Sequence, residues 1–426
     1  MTEVMDANNT YVAAFERLER ELAASGTPAI HRLRKAAIAR FAEMGFPGPR
    51  DEEWRFTPLS ALTQVPFELA PPEKTYFAVG DIPTWEDSLP PGVIVCGLAE
   101  AMQKYPTLVE PHLARHADWK KQPFTALNTA FLREGIFIYL PPNTVIEEPI
   151  VVDFVPSRTG APHVWHRRAL VILGEKSRST LVESYQGAPD LTYFTNAVTE
   201  IVVGAGAVVD HYKVQHEGNQ AFHQATMQVQ LGRSANFSSH AITQGGQWVR
   251  NEINAVFEGG GGECTLNGLY QASGQQLIDN RTFIDHAYPH CASHEVYKGI
   301  LDGKARGVFN GKIYVRQDAQ KTDAKQTNKT LLLSDDATIN TKPQLEIYAD
   351  DVKCTHGATV GQLDAESIFY LRSRGIGLAE ARSLLTYAFA NDIVSRIKVP
   401  RVREALERSL LESHHLPVAE SAEEDA

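Results

Sequence analysis

A glycine-containing turn recurs at a nearly fixed spacing through the middle of the chain. Its leading glycines, Gly174, Gly204, Gly232 and Gly260, are 30, 28 and 28 residues apart. Each turn follows an apolar, strand-like segment, and a new strand-like segment begins about five residues later. Gly303 takes the same position in the pattern after a longer interval of 43 residues. A period of this length is the signature of structural repeats that stack on one another.

The repeated unit favours a β-helix over other repeat and all-β folds. Propeller blades are longer, at about 40 to 50 residues, and sandwich strands show no fixed repeat. One period here holds about two to three short strands, so each strand can stack on its equivalent one coil earlier. On this interpretation residues 271–300 form an enlarged coil or a protruding hairpin. Segments rich in β-branched and aromatic residues predict strands at 145–155, 169–173, 195–203, 208–216 and 226–231.

The strand-rich core, residues 135–363, follows an N-terminal region, residues 1–134, that is predicted to be mostly helical. Segments 11–24 and 28–44 carry apolar residues at helical spacing, and segment 114–133 is a third candidate helix. These patterns predict a mostly helical region that precedes the β-helix.

A C-terminal region, residues 364–426, returns to helical patterns and ends in an acidic tail. Asp364 is placed to cap one helix, and Pro400 takes the favoured first turn of another. Between them, segment 378–397 has an apolar face that must be covered. The end of the β-helix can cover it, or a partner can, or both can do so on opposite faces. Residues 420–426 are small and acidic, which predicts disorder.

The charge balance and the termini restrict the location and partners of the protein. The chain has 41 Lys and Arg against 52 Asp and Glu, for a formal net charge of −11. Binders of nucleic acid or of anionic membranes usually carry a basic excess, so we expect neither function. The N-terminus lacks the basic and apolar stretches of a secretory signal, and no run of 18 apolar residues occurs. These observations predict a cytoplasmic protein.

The catalytic motifs of common enzyme classes are missing from the sequence. It contains no phosphate-binding P-loop, no H-E-x-x-H and no G-x-S-x-G. The four cysteines, Cys96, Cys264, Cys291 and Cys354, are far apart, and no C-x-x-C pair occurs. A disulfide scaffold needs denser cysteine, and a structural zinc site usually needs paired spacing. Buried free thiols in a reducing compartment are the simplest interpretation.

One cluster of candidate metal ligands lies in segment 285–295. It contains His286, His290, Cys291 and His294 between two carboxylates, which are residue types that bind zinc. A proline within the cluster argues against a helix that would bring His286 and His290 together. We therefore favour a solvated strand face with a turn, and a stand-alone metal-binding protein remains an alternative.

A second candidate pair, Cys354 and His356, has the spacing of one strand face. Residues i and i+2 of a strand project to the same side, about 7 Å apart along the strand. A thiolate and an imidazole suit iron, zinc or an iron–sulfur cluster, but a cluster needs about four ligands. The missing ligands would come from another chain, sulfide or solvent. The pair therefore predicts an interface site with labile contents, and the alternative is a structural cysteine beside a surface histidine.

Several long segments of the sequence resemble the SUF iron–sulfur cluster assembly scaffold proteins, the family of SufB and SufD. The segments that carry the resemblance are Lys312–Ala324, Leu331–Ser334, Pro343–Ile347, Lys353–Gly361, the loop Asp51–Thr57 and Phe369–Ile376. The chain is more similar to the SufD branch, because SufB-like sequences have a cysteine near Thr327–Lys329 and this chain has none there. The resemblance is close in the C-terminal third and extends over nearly the whole chain.

The resemblance implies a fold and a set of partners. The family fold is a right-handed parallel β-helix between N-terminal and C-terminal helical regions. SufD-like members are non-catalytic subunits that work with a SufB-like paralogue and a SufC-like ATPase, and the ATPase would dock here on the helices of residues 364–415. The resemblance implies that iron–sulfur clusters form at the interface with the paralogue. The functional Cys-x-His of the family maps onto Cys354 and His356, which would hold iron or a cluster transiently rather than as a permanent cofactor.

A rival function from another class is a carbohydrate-active β-helix enzyme. Such enzymes need a groove lined with catalytic carboxylates or basic residues and aromatic sugar platforms. No paired-carboxylate motif stands out in the sequence, and the expected cytoplasmic location also counts against this alternative. The sequence leaves open whether the isolated protein forms a homodimer.

Overall fold

The structure is a computed structural model that describes residues 2–22, 28–48, 50–71, 76–80, 89–133, 135–158 and 160–416. The acidic tail that the sequence predicts to be disordered, residues 420–426, lies outside the described residues. Within the described ranges no helix is both long enough and apolar enough to cross a bilayer.

The N-terminal part of the chain is helical, with short strands that join the sheets of the core. Its helices are α1 (Thr2–Glu21), α2 (Pro28–Met44), α3 (Ser60–Thr63), α4 (Leu98–Lys104), α5 (Pro106–Val109) and α6 (Pro123–Ala130), with a 3-10 turn at Glu52–Trp54. Its strands are β1 (Glu68–Leu69), β2 (Tyr76–Val79) and β3 (Ile94–Gly97). The helices predicted at 11–24 and 28–44 correspond to α1 and α2. Phe15 and Phe41 of these helices join a buried cluster with Phe194 and Phe222 of the core.

The helix predicted at 114–133 is wrong over its first part, because only α6 forms there. The backbone N–H groups of Ala114, His116 and Ala117 instead donate to the Glu200 carboxylate at 2.8 to 3.0 Å. Ala114 has a φ of 56°, which interrupts a right-handed helix. The chain therefore wraps around a buried carboxylate before α6 begins, a tertiary contact that has no local sequence signature.

From Ile136 to Gly361 the chain winds as a β-helix whose strands alternate between two sheets. The even sheet contains β4 (Ile136–Leu140), β6 (His163–Leu173), β8 (Tyr193–Val203), β10 (Phe222–Leu231), β12 (Trp248–Phe257), β14 (Leu277–His286), β16 (Arg306–Val315) and β18 (Thr338–Ile347). The odd sheet contains β5 (Ile150–Phe154), β7 (Arg178–Gln186), β9 (Val208–His216), β11 (Asn236–Gln244), β13 (Glu263–Ala272), β15 (Ala292–Leu301), β17 (Asp323–Leu332) and β19 (Lys353–Gly361). The predicted mainly β fold, a β-helix between helical regions, is confirmed.

Each coil contributes one strand to each sheet, and successive coils stack in parallel. Ile201, Val229 and Ala255, for example, are register partners in three successive coils and are fully buried. Alternate residues of every strand form such inward columns, which explains why the repeat period could be read from the sequence. The predicted two to three strands per period become two.

The glycine turns occupy the corner between the even and the odd sheet. A Cβ atom added to Gly204 would lie 2.7 Å from the carbonyl oxygen of Leu173 in the preceding coil, so only glycine fits the stacking. The assignment of Gly303 to the same position is wrong, because it lies at the opposite corner, between β15 and β16. The coil after Gly260 has Pro289 at the equivalent corner.

The enlarged coil or hairpin predicted at 271–300 is therefore also wrong. These residues form β14 and most of β15 in ordinary register, with Leu277 paired to Trp248 and Ala292 paired to Glu263. The interval of 43 residues arose because the corner at 287–291 contains no glycine.

Three helices follow the last strand: α7 (Ala365–Ser373), α8 (Leu378–Val394) and α9 (Pro400–Ser413). Asp364 caps α7, since its Oδ2 accepts from the backbone N–H of Ser367 at 2.8 Å. Ile393 and Val394 of α8 pack on Tyr212 of the odd sheet. The apolar face of segment 378–397 is thus covered by the side of the β-helix and not by its end.

Candidate functional site

The last coil of the β-helix is uncovered. β19 pairs with β17 on one edge, and no other described strand pairs with its second edge. Ile347, Tyr348 and Val360 are 39%, 58% and 46% exposed here. An unpaired edge beside exposed apolar side chains is a surface that another strand or coil can extend. We call this surface, formed by β18, Tyr348 and β19, the open end.

Both predicted ligands, Cys354 and His356, lie on β19 at the open end. Their register partners on β17 are Ala324 and Gln326, whose side chains are buried on the inner face of the coil. Cys354 and His356 therefore continue two inward columns, and they share a face, as alternate residues of a strand do. Because no described coil stacks above them, His356 is exposed and Cys354 is half-buried.

The two side chains offer different ligand chemistry. Burial raises the pKa of the Cys354 thiol, and the charge of Asp323 raises it further, against a lowering contribution from the backbone N–H of Ala324. A thiol with a raised pKa becomes a good ligand only when an incoming metal displaces its proton. Among the described residues no group of three His, Cys, Asp or Glu side chains could hold a metal ion. A closed metal site that includes Cys354 and His356 therefore needs further ligands from outside the described residues.

The histidine-rich segment 285–295 does not form one cluster. His286 is buried inside the coil, where its Nε2 lies 2.9 Å from the Ser293 hydroxyl, and burial lowers its pKa to about 4. Cys291 is buried, its Sγ lies 3.5 Å from the carbonyl oxygen of Gly259, and burial raises its pKa. The expected solvated strand face is wrong for His286 and Cys291.

The other two histidines of this segment lie elsewhere. His290 occupies the corner with a φ of 60°, and His294 is a half-buried residue of β15 whose neighbour Ser293 faces inward. The alternation of the strand therefore separates His294 from His286, so the spacing in the sequence does not become a ligand set.

The carboxylates on the outer face of the even sheet are held in ion pairs. A cavity of about 350 Å³ lies there beneath Trp54. Arg250 contacts Glu252 at 2.5 Å and Asp279 at 3.0 Å, and Arg281 also contacts Asp279 at 3.0 Å. A glycosidase needs a protonated acid and a second carboxylate that both reach the substrate. These arginine pairs do not favour the carbohydrate-active alternative.

The sequence pattern gave no signal for a group of charged side chains inside the β-helix. Glu183, Lys213, Glu217 and His223 are at most 5% exposed. The Nζ of Lys213 lies 2.9 Å from Nε2 of His223, whose Nδ1 lies 2.9 Å from the Glu217 carboxylate. Burial lowers the pKa of Lys213 to about 8, against opposing charges of Glu183 and Glu217. Polar residues at alternate strand positions usually face water, which is why the sequence suggested no such network.

A further buried carboxylate, Glu295, lies nearer the open end. Burial raises its pKa to about 7, against hydrogen bonds from Thr282 and Gln326 that lower it. Gln326 donates its Nε2 to Glu295 at 2.8 Å and is the register partner of both Glu295 and His356. One inward column therefore leads from Glu295 through Gln326 to His356.

A second exposed apolar surface lies on the C-terminal helices. Phe369 and Tyr370 of α7 are 75% and 57% exposed, and Leu378 at the start of α8 is 49% exposed. α7 buries none of its side chains among the described residues. Exposed aromatic side chains grouped on one helix are typical of a protein-binding surface.

Comparison with known proteins gives matches along most of the chain. Residues 155–389 match the family model described as SUF system FeS cluster assembly, SufBD core domain, and residues 5–79 and 73–152 match the SufBD protein N-terminal region. An iron–sulfur cluster assembly SufBD family protein of Synechocystis is 31% identical over 407 residues, with 88% of each chain covered. The iron–sulfur cluster assembly protein SufD of Escherichia coli is 30% identical over 380 residues, or 85% of this chain and 88% of SufD.

The similarity extends to plants, where the chloroplastic protein ABCI7 of Arabidopsis thaliana is 26% identical over 91% of this chain and 87% of its own length. The core model alone covers more than half of the chain. The β-helix and its flanking helices agree with this assignment. The chain belongs to the SufBD family of the SUF system for iron–sulfur cluster assembly.

Proposed function

We propose that this protein is the SufD-type, non-enzymatic scaffold subunit of a SUF complex. Its partners are a SufB-like paralogue and a SufC-like ATPase, and it contributes to iron acquisition and cluster assembly at the interface with the paralogue. The observation that carries the proposal is the position of Cys354 and His356 at the open end, where a second chain can complete their ligand set. Iron or a cluster is cargo here, held transiently.

The open end supports docking of the paralogue. An unpaired strand edge gains hydrogen bonds when another strand adds to it, and exposed Ile347, Tyr348 and Val360 lose contact with water. A paralogue with the same kind of open end would stack its own last coil on the last coil of this chain. When the paralogue is absent, a second copy of this chain would take the same position and form a homodimer.

The C-terminal helices support docking of the ATPase. The surface of Phe369, Tyr370 and Leu378 lies within residues 364–415, and α8 and α9 of the same region rest on the odd sheet. ATP-driven dimerisation of two ATPase subunits would pull these helices and shift the β-helix to which they are attached. That motion would open or close the space around Cys354 and His356. ATP hydrolysis belongs to the partner in this scheme, and the assembly works in the cytoplasm.

The decisive variant is His356→Ala in cells that depend on this pathway. We expect normal amounts of folded protein and normal complex formation but loss of cluster-dependent enzyme activity. Thr355→Ala is the matched control, because Thr355 is exposed on the same strand and its register partner Lys325 is also exposed. Normal enzyme activity with His356→Ala would contradict the proposed role of the imidazole.

The partner assignment is tested separately by purifying the tagged full-length protein from its own cells. We expect an ABC-type ATPase and a SufB-like protein in stoichiometric amounts. Recovery of the protein without either partner under conditions that preserve other complexes would contradict the scaffold assignment.

A further inference from the structure

Gln326 is a buried side chain with one unused hydrogen-bonding atom next to the open end. It is 1% exposed, and its Nε2 donates to Oε2 of Glu295 at 2.8 Å. Its Oε1 is shielded from water and has no hydrogen-bond partner among the described residues. A buried carbonyl oxygen without a donor is costly, because it has lost its hydrogen bonds to water and gained none. An acceptor maintained at such a cost needs an explanation.

The orientation of this amide is fixed by its surroundings. The Nε2 of Gln326 donates to Oε2 of Glu295, so the NH₂ group of the amide faces Glu295 and its Oε1 points away. Gly311 of the even sheet faces the same amide, and a Cβ atom at that position would lie 2.1 Å from Nε2 of Gln326. The interior is therefore shaped around one placement of the Gln326 side chain.

The next inward position in this column belongs to His356. Gln326 and His356 are register partners on adjacent parallel strands, about 4.8 Å apart. The imidazole is exposed, and rotation about its side-chain bonds brings a ring nitrogen over Gln326. Nδ1 is the ring nitrogen nearer the backbone, so in that rotamer it would face Gln326 and Nε2 would point out of the open end.

We propose that Gln326, oriented by Glu295, is a positioning residue that accepts the Nδ1–H of His356 and leaves Nε2 as the outward ligand. The inference rests on the proposed function, because the direction of the ring matters only if the ring receives iron. Histidine ligands almost always donate their second ring N–H to a carboxylate or carbonyl oxygen, which fixes tautomer and orientation. Loss of such a partner typically costs about 10- to 100-fold in metal affinity or activity.

The direct test measures the tautomer of His356 without any metal. The full-length protein is labelled with ¹⁵N in its histidine rings, and the ring nitrogens are observed by NMR at pH 8. His356→Gln identifies the signals. We expect the Nδ1–H form, the minor tautomer of free histidine, to predominate in the wild-type protein. Predominance of the Nε2–H form in the wild type would overturn the inference, whatever the variants do.

Two substitutions separate positioning from simple stability. Gln326→Met keeps the size of the side chain but removes the acceptor, so His356 should return to the Nε2–H form. Gln326→Glu restores an acceptor oxygen and should bring the Nδ1–H form back. Gln317→Met is the control, because Gln317 is exposed in the corner after β16. Unchanged His356 signals in folded Gln326→Met would also overturn the inference.

Cluster maturation in cells, measured beside the tautomer of His356, distinguishes failure of the positioning role of Gln326 from failure of the proposed function. If His356→Ala abolishes cluster maturation, Gln326→Met should lower it about 10- to 100-fold. If His356→Ala has no effect on cluster maturation while the tautomer of His356 changes with the residue at position 326, the contact between Gln326 and His356 is confirmed and the proposed function is contradicted. If His356→Ala abolishes cluster maturation while the tautomer of His356 does not depend on the residue at position 326, the proposed function is supported and the positioning role of Gln326 is contradicted.

Discussion

At the scale of single residues, the interior of this β-helix carries ionisable groups where a repeat protein usually carries apolar ones. Lys213 lies among His223, Glu183 and Glu217, while Glu295 has neutral hydrogen-bond donors beside it. The difference decides their charge states. Opposite charges keep Lys213 and the two glutamates ionised at neutral pH, whereas burial without a cation favours the neutral form of Glu295.

The Glu295 carboxyl therefore makes stability depend on pH. Its pKa is about 7 in the folded chain against an ordinary value of 4.5, so between these values only the folded state keeps the proton. The stabilisation is fully present below pH 4.5 and is lost as the pH rises through 7, by up to about 3 kcal/mol. Glu295→Gln should remove this dependence.

The measurement is the free energy of unfolding of the wild type minus that of Glu295→Gln, followed from pH 4.5 to 8. Glu263→Gln is the control, because the Glu263 side chain is exposed and solvated at the start of β13. A difference that stays constant over this range, or that grows with pH, would contradict a neutral Glu295.

At the scale of elements, the corners of the coils decide whether successive strands can stack. Gly174 and Gly204 occupy corners where a Cβ atom would lie 2.5 and 2.7 Å from backbone atoms of the neighbouring coil. This demand is local and steric, which is why the turns could be recognised from the sequence. The corner between β14 and β15 contains Pro289 and no glycine. The series of glycine turns in the sequence therefore missed this coil.

Gly204→Ala should therefore destabilise the β-helix by about 1 to 3 kcal/mol, since the added methyl group forces two coils apart. Gly357→Ala on β19 is the matched control, because a Cβ atom there meets nothing within 4 Å. Chemical denaturation of the two variants against the wild type measures the difference. Equal stabilities would show that the corner relaxes without cost.

Other elements depended on contacts that a single sequence does not encode locally. The segment before α6 looked helical, yet it wraps around the carboxylate of Glu200, which lies far along the chain. The strand spacing of Cys354 and His356 was visible from the sequence, whereas the inward column that includes Glu295 and Gln326 was not. That column exists only because three coils stack in one register.

At the scale of the whole molecule, two exposed apolar surfaces lie on different parts of the fold. The open end is the uncovered last coil of the β-helix, and the second surface, around Phe369, belongs to helices attached to the side of the β-helix. The proposed scaffold role needs two separate docking surfaces, one for the ATPase and one for the assembly interface. Substitutions at the two places should therefore have separable effects.

Val360→Glu and Phe369→Glu test this separation. Each places a charge on a side chain that is already exposed, 46% for Val360 and 75% for Phe369, so folding should change by no more than about 0.5 kcal/mol. Binding is measured pairwise, the purified full-length protein with the paralogue alone and then with the ATPase alone. Val360→Glu should lose the paralogue and keep the ATPase, because a charge buried against a strand edge is costly. Phe369→Glu should do the reverse, and loss of both partners by either variant would show that the surfaces are not independent.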